Sequence, residues 1–191
     1  ALSNAITLGG EDANTRVIVI RGAGPAFSAG HDLRETRRRD DEGQSDWQVR
    51  VDQLLQDCAA MMTRILHTPK PIIACVQGIA SAAGCQLVSA CDLAIASEEA
   101  TFCTPGVNIG AFCTTPLVGI GRNLSRKHAL EMALTGDQFD ASTAERFGLI
   151  NRSVPASELE QATRDLARKI ASRSSESIAR GKAAFYRQVE M

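Results

Sequence analysis

Apolar and polar positions follow two patterns along the chain, one typical of buried strands and one typical of helices. Short runs rich in Ile, Val and Ala predict strands at residues 16–21 and 72–76, both buried on two faces, and a third strand at 93–96. Residues 49–67 carry Val, Leu, Met and Ile at helical spacing and predict an amphipathic helix. Residues 85–91, after the second strand, are a candidate for an apolar helix.

The last third of the chain shows helical periodicity. Ser125 predicts the N-cap of a helix that ends at Gly136, and the apolar spacing is helical from residue 156 onward. Strands that alternate with helices and then give way to helices predict an α/β fold. We therefore expect a core at residues 1–154 and a helical C-terminal region at 155–191, whose final element is expected to be incomplete.

Composition removes several classes of function. The 21 basic and 22 acidic side chains leave a net charge of -1, which provides no long-range attraction for nucleic acid or for an anionic membrane. Six Phe, one Trp and one Tyr are too few for a surface that stacks unpaired bases. No apolar run approaches the roughly 18 residues of a membrane span. We expect neither a nucleic-acid partner nor a membrane span.

Two glycine-rich turns, at residues 22–30 and 78–84, each follow a predicted strand. A dinucleotide-binding fingerprint in the first turn would place Phe27 where a glycine must allow close helix packing. A nucleophile elbow at Ser81, with Asp92 and His128 as partners, would need a tighter glycine spacing than this sequence has. Neither interpretation fits the glycine spacing of these turns.

A third interpretation uses both turns together. Small side chains allow the backbone to approach a ligand closely, so each turn can present one N–H group to the same ligand oxygen. Ala83 begins the predicted apolar helix, whose dipole would strengthen its N–H as a donor. Two such donors form an oxyanion hole, although small residues in either turn alone can also serve tight packing.

The segments that carry these turns resemble the enoyl-CoA hydratase/isomerase (crotonase) family. The similar segments are RVIVIRGAGPAFSAGHDL at 16–33, KPIIACVQGIASAAGCQL at 70–87, CDLAIA at 91–96, FCTPGVNIG at 102–110 and ALEMALTGDQFDASTAERFGLI at 129–150. The resemblance implies a crotonase-like spiral of ββα units with a helical C-terminal trimerisation region. It also implies an acyl-CoA thioester ligand and a homo-trimer or hexamer.

The resemblance assigns the two oxyanion donors to the backbone N–H groups of His31 and Ala83. Around these donors it implies substrate-binding positions at Ala29, Gly30, Asp32, Leu33, Arg34, Ala82, Gly84 and Asn108. No metal and no cofactor is expected, since coenzyme A arrives as part of the substrate. The expected location is intracellular and soluble, cytoplasmic in a bacterium or in the mitochondrial matrix of a eukaryote.

The sequence departs from hydratases of this family at both acid/base positions. Those hydratases carry two glutamates, and the equivalent positions here are Gln86 and Gly106, neither of which can transfer a proton. General acid and base catalysis each contribute about 10² to 10⁴ in rate. Hydration of enoyl-CoA is therefore expected to be slow or absent, whereas a decarboxylation would form an enolate without a carboxylate base.

Several alternatives stay open from the sequence. The chain could be a non-catalytic acyl-CoA-binding or interaction protein, or a purely structural subunit. Gln86 could hold a water or a substrate oxygen, and Cys103 or Cys113 could act as a nucleophile, although no histidine is obviously placed to activate a thiol. Asp32 is predicted to cap its loop, and the charged segment that begins at Arg34 is either a solvated cover or a contact for CoA phosphates.

Overall fold

The computed structural model describes residues 1–189, so positions 190 and 191 of the predicted helical region lie outside the described residues. The helices are α1 (Leu2–Glu11), α2 (Leu33–Thr36), α3 (Gln44–His67), α4 (Ala83–Ala90), α5 (Thr114–Asn123), α6 (Arg126–Thr135), α7 (Ala141–Phe147), α8 (Leu159–Ala171) and α9 (Ser175–Val189), with a 3₁₀-helix at Pro105–Ile109. The strands are β1 (Ile18–Arg21), β2 (Ile72–Val76), β3 (Ala80–Ser81), β4 (Leu93–Ser97), β5 (Thr101–Cys103), β6 (Phe139–Asp140) and β7 (Arg152–Val154).

A four-stranded parallel sheet, in the order β1-β2-β4-β7, forms the centre of the fold. The three strands predicted from apolar runs are its first three members, so the α/β prediction is confirmed. Parallel strands need crossover connections, and the helices and small strands between them provide these. All five residues of β2 are buried because it has a strand on each side and helices on both faces.

The prediction that residues 16–21 are buried on both faces is wrong. Only Ile20 of β1 is buried, and Val19 is 44% exposed. β1 lies at the edge of the four-stranded sheet, where part of its surface has no covering element among the described residues. A run of β-branched residues predicts the strand correctly but does not show whether the strand is central or at an edge.

A second, three-stranded sheet has the order β3-β5-β6, and Ser28 extends it through a parallel bridge to Ala80. Two strands of the central sheet are followed by a short strand of the second sheet and then by helical structure, as β2-β3-α4 and as β4-β5 with the 3₁₀-helix and α5. After β1, the Ser28 bridge takes the place of the short strand before α2. This is the predicted repetition of ββα units. It places the turns after β1 and β2 side by side.

Helix boundaries follow local sequence signals where such signals exist. Ser125 caps α6 by accepting a hydrogen bond from the amide of His128, and Gly136 ends the helix in the left-handed conformation, as predicted. α3 begins at Gln44, five residues before the predicted start at 49, because its first turn is polar and shows no apolar period. After Val154 the described residues form only α8 and α9, with short turns between them.

None of the described helices is long and apolar enough to cross a membrane.

Candidate functional site

Backbone hydrogen bonds hold the two glycine-rich turns against each other. Ser81 donates its amide to the carbonyl of Ser28 at 2.9 Å, and the amides of Phe27 and Ser28 both donate to the carbonyl of Ile79, at 3.0 and 3.1 Å. Gly84 makes the approach possible, because a Cβ at this position would lie 2.2 Å from the Ser28 carbonyl oxygen. The small residues of these turns are therefore required by packing between the turns.

Gly30 brings the His31 turn to the first residue of α4. Its φ is +90°, and a Cβ added there would lie 3.2 Å from the amide nitrogen of Ala83 and 3.0 Å from the carbonyl oxygen of Ser81. Glycine is favoured for two reasons. A residue with a side chain would be strained at this φ, and its Cβ would crowd the start of α4. His31 follows directly, so the two predicted donor segments are in contact.

Neither the amide of His31 nor that of Ala83 donates a hydrogen bond to any residue from 1 to 189. Ala83 is the first residue of α4, where an amide has no acceptor within its own helix. Both residues are only partly buried, so a ligand can reach them. At the helix start the dipole adds partial positive charge, which favours a negatively charged acceptor.

Ala82 joins β3 to α4 with a backbone conformation that side chains rarely adopt. Its φ is +50°, and it is the non-glycine residue with positive φ in the described part of the chain. Its amide donates to the carbonyl of Cys103 at 2.9 Å, which anchors the strained residue to β5. Such strain persists where surrounding contacts impose it, and here it turns the Ala83 amide away from the sheet ladder.

The two positions expected to carry acid/base side chains differ in their surroundings. Gln86 lies one turn after Ala83 and is 8% exposed, and its Oε1 is buried without a hydrogen-bond partner among the described residues. Gly106 is buried in the 3₁₀-helix, and a Cβ added there would lie 3.0 Å from the sulfur of Cys113. Neither position supplies a carboxylate.

Asp32 caps α2, as predicted, and does not point a free carboxylate at the Ala83 amide. It accepts the amide of Arg34 at 2.9 Å, and the Arg34 guanidinium donates to both of its oxygens. The hydrogen bond from the Arg34 side chain, followed by that from its amide, lowers the pKa of Asp32. Leu33 begins α2 and is 56% exposed, and Ala29 is exposed at the rim of the same turn.

The Asn108 side chain forms a hydrogen bond with the end of α6. Its Nδ2 donates to the carbonyl of Gly136 at the end of α6, at 3.4 Å. The prediction that Asn108 contacts substrate stays a prediction. Asn108 lies in the same 3₁₀-helix as Gly106, two residues later.

The Ser81, Asp92 and His128 combination does not form. Ser81 Oγ accepts the thiol of Cys103 at 3.3 Å, Asp92 is bonded to Lys182 and Tyr186, and the His128 ring stacks on Phe147 at 3.7 Å. The nucleophile-elbow interpretation is therefore wrong, because each of the three groups is engaged with other partners.

A cavity of about 380 Å³ opens beside Gln86, and sequence patterns did not reveal it. Its walls come from α3, α4, α5 and α9, and include Met62 and Leu66 on one side and Val118 on the other. These positions look like ordinary core residues in the sequence, because helical spacing alone does not distinguish a filled core from a lined cavity. Gln86 is the link between the cavity and the start of α4.

The charged segment after Asp32 is fastened to α3. Arg50 donates to both carboxylate oxygens of Glu42 at 2.7 Å and to the carbonyl of Arg37 at 2.9 Å, and Trp47 Nε1 donates to the carbonyl of Thr36 at 2.8 Å. The Arg34 side chain in the same segment is 89% exposed. Defined hydrogen bonds thus hold the segment against α3.

Lowering the pH is expected to break the ion pair between Arg50 and Glu42 and to release the charged segment from α3. The hydrogen bond from Arg50 lowers the pKa of Glu42 to about 2. The stabilisation by the Glu42–Arg50 pair is therefore complete above the ordinary pKa range of a glutamate, and it is lost as the pH falls towards about 2. Hydrogen-exchange protection factors of residues 33–43, measured from about pH 6 to about pH 2, should fall in this window. The Arg50→Gln variant should show low protection throughout, and equal protection in both proteins would contradict this role of the Glu42–Arg50 pair.

Comparison with known proteins gives a consistent result. The family model described as enoyl-CoA hydratase/isomerase matches residues 2–191. Mitochondrial enoyl-CoA hydratase domain-containing protein 3 of Mus musculus is 48% identical over 179 residues, which is 94% of this chain and 58% of that protein. The Homo sapiens protein of the same name is 47% identical over 174 residues, covering 91% of this chain and 55% of its own length.

Solved structures show the same fold. An enoyl-CoA hydratase from Mycobacterium smegmatis has a TM-score of 0.91 and 41% identity, with 100% of this chain and 72% of that chain covered. The crystal structure of human enoyl-CoA hydratase domain-containing protein 3 has a TM-score of 0.91 and 44% identity, covering 100% and 73%. The predicted crotonase-like fold is confirmed, and the chain spans under three fifths of the length of these two curated relatives.

Proposed function

We propose, since this chain belongs to the enoyl-CoA hydratase/isomerase family, that it binds an acyl-CoA thioester and polarises the thioester carbonyl through the backbone N–H groups of His31 and Ala83. The observation that carries this proposal is that both amides lack an acceptor within residues 1–189 while Gly30 holds their segments in contact. Hydrogen-bond donors fixed before the reaction stabilise the negative charge that develops on such an oxygen.

The cavity beside Gln86 is the proposed place for the acyl group. Its volume of about 380 Å³ lies within the usual range for small-molecule sites, and Met62, Leu66 and Val118 give it an apolar wall. Gly30 and Gly84 keep the two turns in contact, and the small side chains of Ala29 and Ala82 leave room beside them for the thioester. The acyl chain would then pass Gln86 as it enters the cavity.

The coenzyme A portion is proposed to lie towards Arg34. This guanidinium is 89% exposed, and its partner Asp32 leaves donors free for a phosphate. Asp32 and Leu33 hold the short helix that carries Arg34, so their contribution to binding is positional. We also propose assembly as a homo-trimer or hexamer, which the family resemblance implies and light scattering can measure.

The proposed chemistry is an enolate-forming reaction that needs no carboxylate base. Gln86 and Gly106 stand at the positions where hydratases of the family carry glutamates, so water has no general base here. Loss of carbon dioxide from a malonyl-type thioester leaves the enolate directly, and the two N–H groups would stabilise it. The second candidate is acyl-CoA binding without catalysis, which the missing carboxylates also favour.

Three thioesters separate these functions. The proposal predicts that butyryl-CoA binds in isothermal titration calorimetry, that malonyl-CoA loses carbon dioxide, and that crotonyl-CoA keeps its enoyl absorbance. Butyryl-CoA binding without malonyl-CoA turnover would favour the non-catalytic candidate. Rapid hydration of crotonyl-CoA would contradict the proposed loss of acid/base groups, and no binding of any thioester would overturn the proposal.

Replacing Ala83 with proline should remove one donor while keeping the helix. Proline is tolerated at the first helical position, where its missing N–H has no intrahelical acceptor. Malonyl-CoA decarboxylation is expected to fall by about 10² to 10³, the usual effect of losing one such donor. If the protein only binds acyl-CoA, the dissociation constant of butyryl-CoA should instead rise about tenfold.

The control for this prediction is Ala83→Gly, which keeps the N–H group. It should retain most of the decarboxylation and binding, and circular dichroism should show both variants folded. A folded proline variant that matches the glycine variant in both assays would show that the Ala83 amide does not contact the thioester.

A further inference from the structure

Two charged side chains, those of Asp92 and Arg122, line the cavity beside Gln86. The Asp92 carboxylate is compensated, because it accepts from Lys182 Nζ at 2.7 Å and from the hydroxyl of Tyr186 at 2.8 Å. Arg122 forms no ion pair and no side-chain hydrogen bond within the described part of the chain. The charge that the cavity wall leaves uncompensated is therefore positive.

Two other polar side chains of the cavity wall are bonded to the protein itself, whereas Gln86 is not. Ser89 Oγ donates to the carbonyl of Gln86 at 2.8 Å, and Asn123 Nδ2 donates to the carbonyls of Ser89 and Gly119 at 3.0 and 2.9 Å. Gln86 is 8% exposed, and its Oε1 is buried without a partner among the described residues. A buried amide oxygen in this state is costly unless a ligand or water completes its hydrogen bonds. Gln86 thus indicates an occupant of the cavity independently of Arg122.

The packing of α5 on α4 places Arg122 beyond Gln86 as seen from the Ala83 amide. The hydrogen bond from Asn123 holds the end of α5 at the carbonyl of Ser89. Ser89 lies six residues after Ala83, which is about 9 Å along the axis of α4 at 1.5 Å per residue. Arg122 precedes Asn123 directly and lines the cavity at this level. A group that begins at Ala83 and passes Gln86 therefore extends towards Arg122.

We propose that the acyl group of the bound thioester ends in a carboxylate that Arg122 binds, an inference that rests on the proposed function and names its substrate class. The methylene chain would lie against the apolar wall at Met62, Leu66 and Val118, and the terminal carboxylate would accept hydrogen bonds from the guanidinium. The ligands are then mono-thioesters of coenzyme A with dicarboxylic acids.

Charge and shape both favour a carboxylate at this end of the cavity. A guanidinium presents two parallel N–H groups that match the two oxygens of a carboxylate. An alkyl acyl group would fill the apolar part of the cavity and leave the guanidinium without a partner. Arg122 is exposed, so solvent and salt screen the pair in part, and a moderate gain in affinity is expected.

The test compares thioesters of equal carbon number by isothermal titration calorimetry. Glutaryl-CoA is compared with pentanoyl-CoA, and adipyl-CoA with hexanoyl-CoA. At least one dicarboxylyl thioester should bind about five- to tenfold more tightly than its neutral counterpart. This ratio should shrink when the ionic strength is raised from about 0.1 to about 1 M. The effect of salt on the coenzyme A phosphates is common to both thioesters and cancels in the ratio.

Variants at Arg122 separate a direct contact from a general effect of charge. Arg122→Gln should abolish the preference and leave hexanoyl-CoA binding unchanged, and Arg122→Lys should retain part of it. The exposed, unpaired side chain makes unfolding of these variants unexpected. Arg126→Gln is the matched control, because Arg126 is an exposed arginine at the start of α6 that does not line the cavity. This control changes the net charge equally and should keep the preference.

Hexanoyl-CoA distinguishes failure of this inference from failure of the proposed function. If hexanoyl-CoA binds but neither dicarboxylyl thioester binds more tightly than its counterpart, the inference is overturned and acyl-CoA binding stands. The same conclusion follows if the preference survives in Arg122→Gln. If no thioester binds, the proposed function fails and this inference fails with it.

Discussion

A chain carrying Gln86→Glu, Gly106→Glu and Cys113→Ala is expected to hydrate crotonyl-CoA at least about 10⁴-fold faster than the unaltered chain, because each restored acid or base contributes about 10² to 10⁴. The change at Cys113 is needed because its sulfur would lie 3.0 Å from the Cβ of the new glutamate. The remaining contacts of that Cβ, 3.2 Å to the Cys113 amide and 3.3 Å to the Phe112 carbonyl carbon, require only a small shift.

Gln86→Glu places a carboxyl group in a site that is 8% exposed, where burial raises a carboxyl pKa and suits a general acid. The measurement is the loss of enoyl absorbance of crotonyl-CoA. Gln86→Met combined with the other two changes has a similar shape without the charge and should gain less. A folded triple variant that binds butyryl-CoA but hydrates no faster would show that these positions do not face the reacting carbons.

Asp92→Asn is expected to lower the free energy of unfolding by about 3–5 kcal/mol, since it leaves the buried ammonium of Lys182 without its counter-charge. Asp92 Oδ2 accepts from Lys182 Nζ and from the amide of Ile72, both at 2.7 Å, and Oδ1 accepts from the hydroxyl of Tyr186 at 2.8 Å. The Lys182 and Asp92 side chains are only 7% and 14% exposed.

The pKa shifts in this cluster have clear physical causes. Burial lowers the pKa of Lys182, and Asp92 opposes that shift by favouring the charged ammonium. Burial raises the pKa of Tyr186, and the negative charge of Asp92 raises it further. Removing the carboxylate therefore takes away the main charge that opposes burial at Lys182, which is the reason for the large expected loss of stability.

Urea unfolding measures this prediction, and an exposed ion pair on the same helix supplies the control. Arg180 and Glu176 of α9 form a pair whose side chains are 79% and 72% exposed, so Glu176→Gln should change stability by less than about 1 kcal/mol. Equal effects of Asp92→Asn and Glu176→Gln would show that the Lys182 cluster does not hold α9 to the core.

Much of the fold could be predicted because its signals are local. The apolar runs at 72–76 and 93–96 became central strands, and Ser125 and Gly136 limit α6 as predicted. The edge position of β1 could not be predicted in this way. Whether Val19 is covered depends on which strands and helices lie beside it, and composition within the strand does not contain that information.

The candidate site was predictable to a smaller extent. The two glycine-rich turns and the start of α4 at Ala83 follow from residue type, because small residues after a strand signal close backbone approach. Asp92 carries a structural signal in the sequence: it is the one charged residue between positions 71 and 97. A lone charge between two buried strands must find a partner, and its partners are Lys182 and Tyr186.

The amino-acid sequence by itself determined three of the seven described strands, the helices α3, α4, α6, α8 and α9, the turn chemistry at Gly30 and Gly84, and the absence of carboxylates at positions 86 and 106. Each of these depends on residue type and on neighbours a few positions away. Only the tertiary structure decided that Lys182 reaches Asp92 across 90 positions, that Asn108 bonds to Gly136, and that the Cys113 sulfur fills the space beside Gly106. The first two of these contacts join segments that are far apart in the sequence, and the third depends on how the chain turns after the 3₁₀-helix. They form only when the helices and sheets have packed together.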